Sequence, residues 1–242
     1  MPKLPAGRLA RHAYLDLIAN VRGLIRIGSP WLLLAWAVLL LGHGGGFLAA
    51  LANLAVTLGV AAIAVAWHRH ILLSEPLSQR MAPLDARVAR YFALTVLIAI
   101  VMSTLPLLAL HVLGGADPTQ AGGALILVPV VVLACLYAAL RIQLIFPAIA
   151  IGDATVNLAR SWELTRGNGW RLMGGFLLVT MPVAVALLAL AYFLAWAATT
   201  TGSVALLALA DLATVANAWL QAPLIASFLS YAFLWFKQQQ PA

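Results

Sequence analysis

The chain has 242 residues, of which 64% are hydrophobic and 9% charged, with a net charge of +7. An ordinary soluble domain carries about 25% charged residues, so this composition cannot cover a surface in water and excludes a soluble globular fold. The single cysteine, Cys135, excludes an internal disulfide and a cysteine-based metal cluster.

The N-terminal segment is amphipathic. At the helical turn of about 100° per residue, Arg8, Arg11, Arg22 and Arg26 fall on one side, and Leu9, Ala13, Tyr14, Leu17, Ile18, Val21 and Leu24 on the other. That pattern predicts an interfacial helix on the inner leaflet. Six apolar runs follow, at 31–41, 47–67, 91–113, 124–146, 172–198 and 204–236. Crossing about 30 Å of hydrocarbon takes about 20 residues, so the first run is extended back to residue 24, with Arg26 snorkelling toward the headgroups. So long an n-region, with five further spans behind it, argues against a cleaved signal peptide.

The basic residues set the threading. Lys3, Arg8, Arg11, Arg22 and Arg26 precede the first span; Arg69, Arg80, Arg87 and Arg90 lie at or between the second and third. Arg141, Arg160, Arg166 and Arg171 flank the joint between the fourth and fifth, and Lys237 follows the sixth. Those are all 14 of the Lys and Arg residues, leaving none for the loops at 43–46, 114–123 and 199–203. Because Lys and Arg are retained on the cytoplasmic side, the expected architecture is all-α: a polytopic bundle of six transmembrane helices with both termini cytoplasmic. Interfacial amphipathic helices precede the first span and join the fourth to the fifth. The expected divisions are 1–27, a cytoplasmic amphipathic helix; 28–236, one membrane domain; and 237–242, a cytoplasmic tail. Basic residues spread along one membrane face suit anionic lipid headgroups and not nucleic acid.

Polar side chains inside spans mark candidate sites. Asp211, Thr214, Asn217 and Gln221 recur at helical spacing on the sixth span and are expected to face the bundle interior. His111 and His43 lie at a similar depth to Asp211, so a His-Asp relay or metal site is a possibility weighed against a structural pair. Arg141, near the inner end of the fourth span, is expected to pair with Glu75, Asp85, Asp153 or Glu163, with lipid-phosphate binding as the alternative. His68 and His70, two residues apart, point to different helix faces and make a poor metal pair. Asn53 and Thr57 suit interhelical hydrogen bonds. Pro106, Pro129, Pro182 and Pro223 kink four spans, a construction shared with transporter sites. No catalytic or cofactor motif occurs, and no cofactor or metal is expected.

The most polar island joins the fourth and fifth spans. Pro147 is expected to end or kink the fourth span, and Asp153 to cap a helix running from Ala154. On that helix Ala154, Leu158, Ser161, Trp162 and Thr165 share one side, while Arg160, Glu163 and Arg166 are spaced for ion pairing. Val156 and Leu164 fall on the charged side, so the helix is expected to be buried on two sides. Gly167 suits a left-handed stop, Asn168 a cap for the next helix, and Trp170 with Arg171 the headgroup level.

The elbow formed by Ala154, Ala159, Ser161, Trp162, Leu164, Thr165, Gly167 and Trp170 resembles that of bacterial six-helix inner-membrane proteins. These include the membrane domain joined to some glycerophosphodiester phosphodiesterases and related uncharacterised proteins. The likeness covers about residues 137–175, with Asp153 where many relatives would carry Glu. It implies a fold and an inner-membrane address; the enzymes' chemistry lies in a separate soluble domain and does not transfer. The expected function is a non-enzymatic structural, partner-binding or lipid-binding membrane component. The alternative is a small-molecule or lipid transporter using the polar stripe of the sixth span.

Overall fold

The computed structural model describes residues 2–41, 46–78, 80–114 and 121–239. His43 lies outside them, as do most of the loop at 43–46, residues 115–120 of the loop at 114–123 and the last residues of the tail. The described residues form α1 Ala6–Ala19, α2 Val21–Leu41, α3 Gly46–Leu73, α4 Ala86–Gly114, α5 Ala121–Ile142, α6 Ile145–Ile151, α7 Leu158–Leu164, α8 Gly169–Thr201 and α9 Val204–Gln238. No strand occurs among them. Six segments are long and apolar enough to cross a membrane: α2, α3, most of α4, Val128–Ile151 running through α5 and α6, α8 and α9. The chain is therefore read as a multi-pass membrane protein.

α9 is the central post, packing against α1, α2, α3, α6 and α8. It continues helical through a buried Pro223. At about 1.5 Å per residue it is longer than the hydrocarbon is thick. Close helix approach depends on glycine where an aromatic ring lies opposite. A Cβ on Gly175 of α8 would meet the Phe228 ring of α9 at 2.6 Å, and one on Gly28 of α2 would overlap the Trp219 indole.

Burial concentrates at the end of the bundle that carries the basic residues. One core gathers Leu9 and Ala13 of α1, Leu140 of α5, Leu172 and Val179 of α8, and Phe228 and Phe233 of α9. The second gathers Leu24 and Trp31 of α2, Ala61 to Val65 and Trp67 of α3, Tyr91 of α4, Phe146 of α6 and Ala222 of α9. α6 and α9 contribute to both, so the seam between the cores runs along these two helices. Trp67 and His68 tie α3 to α9 by bonds of 2.8 Å to Ser227 Oγ and Ser230 Oγ.

The N-terminal helix uses much of its apolar side within the protein. Leu9, Ala10 and Ala13 are buried, and the Tyr14 hydroxyl donates to the Val179 carbonyl at 2.7 Å. Burial pushes the Tyr14 phenol up from its ordinary pKa. Tyr231 of α9 donates to Asp16. α1 thus docks on α8 and α9, while Ile18 and Val21 stay exposed.

Candidate functional site

The fourth span is broken. α5 stops at Ile142, and Gln143 and Leu144 form a tight turn with 3.3 Å and 3.1 Å bonds from Gln143 N to Leu140 O and from Phe146 N to Gln143 O. Pro147 was expected to end or kink the span; the span breaks just ahead of it, and Pro147 itself lies in the first turn of α6, where an intrahelical amide donor is not required. Its missing N–H leaves the carbonyl four residues back, that of Gln143, without the usual α-helical partner, so the break falls ahead of the proline. α6 then packs against α3, α4 and α9 and ends at Gly152, whose φ of 76° is left-handed.

This break opens onto a cavity of about 250 Å³ at the seam between the two cores. Gln143, Gln221, Tyr91 and Thr95 supply its polar atoms, and Phe146, Phe176, Ala64, Ala218, Ile225 and Leu229 are among its apolar walls. Gln221 Nε2 donates to the Thr180 carbonyl at 2.8 Å and lies 3.4 Å from Asn217 Oδ1. The Thr95 hydroxyl donates to the Tyr91 carbonyl at 2.9 Å. Gln143 Oε1 and Gln221 Oε1 are both buried with no hydrogen-bond partner. An unpaired buried acceptor costs about 1–3 kcal/mol. A smaller cavity of about 70 Å³ near the α3–α4 connection is lined by Arg69, Glu75 and Asp85, whose charges are already paired.

The polar stripe of the sixth span is only partly gathered. Gln221 lines the cavity and Asn217 contacts it, whereas Thr214 is exposed and its hydroxyl bonds back to Ala210 O at 3.0 Å. Asp211 is half-buried two turns into α9, and neither it nor the exposed His111 lines the cavity. Among the described residues no three His, Cys, Asp or Glu are grouped to hold a metal. His68 and His70 diverge as their spacing requires, His68 toward Ser230 and His70 to the Glu75 carbonyl at 2.7 Å. Asn53 and Thr57, expected to link helices, instead bond back to Ala49 O and Asn53 O in their own helix.

Among the described residues Arg141 has no acid partner, contrary to expectation, because all four candidate carboxylates are engaged elsewhere. Glu75 holds Arg69; Asp85 caps α4 and pairs with Arg87; Asp153 holds Lys237; Glu163 holds Arg160. Arg141 Nε donates to Thr165 Oγ1 at 3.1 Å and Nη2 to the Trp162 carbonyl, while its guanidinium carbon lies 3.8 Å from the Trp162 ring centroid. A cation over an indole face is stabilised by the ring quadrupole, so ring and carbonyl stand in for an acid.

The elbow is built from short pieces. Residues 154–157 are turn and coil, so the helix expected from Ala154 begins at Leu158. Asn157 is its cap, accepting from Arg160 N at 2.8 Å, and not Asp153. Asp153 Oδ1 instead accepts from Thr155 N and Thr155 Oγ1, and Oδ2 from Lys237. Burial pushes this carboxyl up, but the bonds from Lys237 and Thr155 outweigh burial and hold it below its ordinary pKa. Because the segment leaves the helix, Val156 turns into a core instead of lying on the charged face.

Ser161 and Thr165 are fully buried; Ser161 Oγ donates to the Arg141 carbonyl at 2.8 Å, fastening α7 to the end of α5. Arg160 pairs with Glu163 at 3.1 Å, while Arg166 is exposed and forms no ion pair among the described residues. Gly167 has φ 74°. Asn168 was expected to cap α8, yet its side chain makes no cap bond. It holds the N-terminus, accepting from Leu4 N at 2.8 Å and donating to Pro2 O at 3.2 Å. Trp170 is exposed on the outside and packs on Tyr137 at 4.8 Å between centroids.

No known protein family, curated protein or solved structure matches the chain. The site is therefore read from its own residues. Gln143 stood in the sequence four residues before Pro147, the position whose carbonyl a proline frees. That was the available signal for the break. Tyr91 and Thr95 carried none, since a Tyr at a helix start reads equally well as an interfacial anchor.

Proposed function

We propose that this chain is a non-enzymatic, multi-pass component of the bacterial inner membrane, with both termini in the cytoplasm, that binds a small molecule or lipid inside its helix bundle. The observation that carries the reading is a cavity of about 250 Å³ inside the bundle whose lining includes four polar side chains, Gln143, Gln221, Tyr91 and Thr95. Polar side chains inside a membrane bundle are costly, and a cavity that gathers four of them supports a binding role. The absence of catalytic motifs and the grouping of basic residues at one end of the bundle support the rest. So does the likeness of the elbow to those of six-helix inner-membrane proteins.

The elbow's role in this reading is structural and lipid-facing. Its buried polar atoms are spent on α5 and the N-terminus, while Arg160, Arg166 and Trp170 face outward, where they suit anionic headgroups. Transport is the second reading. It is favoured by the broken fourth span, because discontinuous helices at a midbundle site are how many transporters expose backbone to substrate.

Accessibility tests the cavity. In a background with Cys135→Ser, Ala218→Cys is expected to react with N-ethylmaleimide, because a hydrated cavity permits the thiolate that reacts. Leu97→Cys, on the exposed side of α4, is expected to stay unmodified in lipid. Equal protection of both positions overturns the reading.

A further inference from the structure

We infer that Arg141 is a fixed seat for the phosphate of one anionic phospholipid at the basic end of the bundle; this rests on the lipid-facing reading of the elbow and not on the cavity.

The guanidinium is only half spent. Nε donates to Thr165 Oγ1 at 3.1 Å and Nη2 to the Trp162 carbonyl, and those two N–H groups lie along one edge of the planar fork. The other edge, one N–H from each Nη, has no partner among the described residues. Two parallel N–H groups are the arrangement that takes two oxygens of a phosphate. The groups that hold Arg141 are a carbonyl dipole and a ring quadrupole, neither of which carries net charge. The cation is therefore positioned but not neutralised.

Burial sets it apart from the other bases. Among the described residues every other Lys or Arg without an acid partner is exposed, whereas Arg141 is half-buried. Water and salt screen exposed charges and screen partly buried ones much less, so an anion gains most at Arg141.

The surroundings select a lipid over a free oxyanion. The Trp162 ring covers one face of the guanidinium at 3.8 Å, the Tyr137 ring centroid lies 5.9 Å from it, and Trp170 packs on Tyr137 at 4.8 Å. Trp162 and Trp170 are both exposed, as suits indoles at headgroup depth. Along α5 from Arg141, residues Tyr137, Leu133 and Val130 recur at helical spacing on one face, and Leu133 and Val130 are exposed. A phosphate on the free edge thus has an apolar face beside it for its acyl chains. A phosphodiester brings the single negative charge that Arg141 lacks. The exposed Arg166 and Arg171, at the two ends of the α7–α8 turn, disfavour a headgroup ammonium and favour a glycerol headgroup.

Native mass spectrometry of the full chain in dodecylmaltoside, titrated with dioleoyl phosphatidylglycerol, reads the affinity for the first lipid. Arg141→Lys keeps the charge but loses the fork, and is expected to weaken that step at least about tenfold. Arg166→Gln removes an exposed charge and is expected to change it less than about threefold. On the parent chain, dioleoyl phosphatidylcholine and dioleoylglycerol should bind more weakly than phosphatidylglycerol, and a large excess of ammonium phosphate should leave the lipid bound.

If Arg141→Lys does not fold, phenylglyoxal decides on the parent chain, because it reacts with the two Nη atoms of an arginine. Phosphatidylglycerol is expected to slow modification of Arg141 several-fold relative to Arg166, read by peptide mass. Equal weakening by Arg141→Lys and Arg166→Gln overturns the seat and leaves only diffuse attraction at the elbow. Phosphatidylcholine or dioleoylglycerol bound as tightly as phosphatidylglycerol, or an Arg141 that phenylglyoxal never modifies or modifies equally with and without lipid, also overturns it. Displacement by ammonium phosphate overturns the lipid as the source of the phosphate.

Discussion

Arg141, Asp153 and Asn168 each do a different job from the one their spacing offered. Arg141 was legible as a cation needing a partner, but a linear sequence does not show that four acids have been taken by nearer bases. Thr165, fully buried beside it, accepts from the guanidinium and donates to carbonyls at the end of α5 and within its own helix. Thr165→Val is expected to cost about 1–3 kcal/mol through the unpaired groups it leaves, read as a lower midpoint of thermal unfolding in detergent, while Thr165→Ser retains most of the stability. Asp153 gives a pH signature. Its carboxyl is held low in the folded protein, so the clamp on Lys237 is complete above the ordinary carboxylate range, near pH 4, and is lost as pH falls below it through the depressed value. Unfolding midpoints measured from pH 7 down to pH 3 are expected to fall less steeply for Asp153→Asn than for the parent chain.

Helix-scale features divide cleanly between what periodicity carries and what tertiary context overrides. The six spans were readable because a membrane demands about 20 apolar residues in a row, and α3, α8 and α9 extend the expected runs only at their ends. The elbow was readable as a helix but not at its start, since Asp153 and Asn157 are both good caps and only the fold decides between them. The N-terminal helix had an apolar side, yet nothing in its sequence said that protein would cover part of it. Asn168 makes that docking testable: Asn168→Ala leaves Leu4 N and Pro2 O without their partner, and limited proteolysis is expected to release the first residues several times faster. The α8–α9 contact makes a second case. Gly175→Ala places a methyl 2.6 Å from the Phe228 ring and is expected to cost about 1–3 kcal/mol by overpacking, measured by thermal unfolding.

At the scale of the whole molecule, two cores meet along α6 and α9, and the cavity lies at their seam. Composition and charge placement were enough to expect a six-span bundle, because both follow from the chemistry of the bilayer. The cavity was not legible: its walls come from α3, α4, the α5–α6 break, α8 and α9, and no local pattern records which faces of five elements converge. Of the polar residues singled out in the sequence, Gln221 reaches the cavity and Arg141 does not, which separates the site from the scaffold. The central claim is that the bundle holds a molecule in the cavity that Gln143 and Gln221 line. Native mass spectrometry of the full chain released from nanodiscs tests it most directly, comparing the parent with the Gln143→Leu, Gln221→Leu double variant. The account predicts a discrete adduct on the parent, small enough for the cavity, that the double variant loses while still carrying annular lipid. An adduct retained equally by both proteins, or a parent chain carrying none, would contradict it.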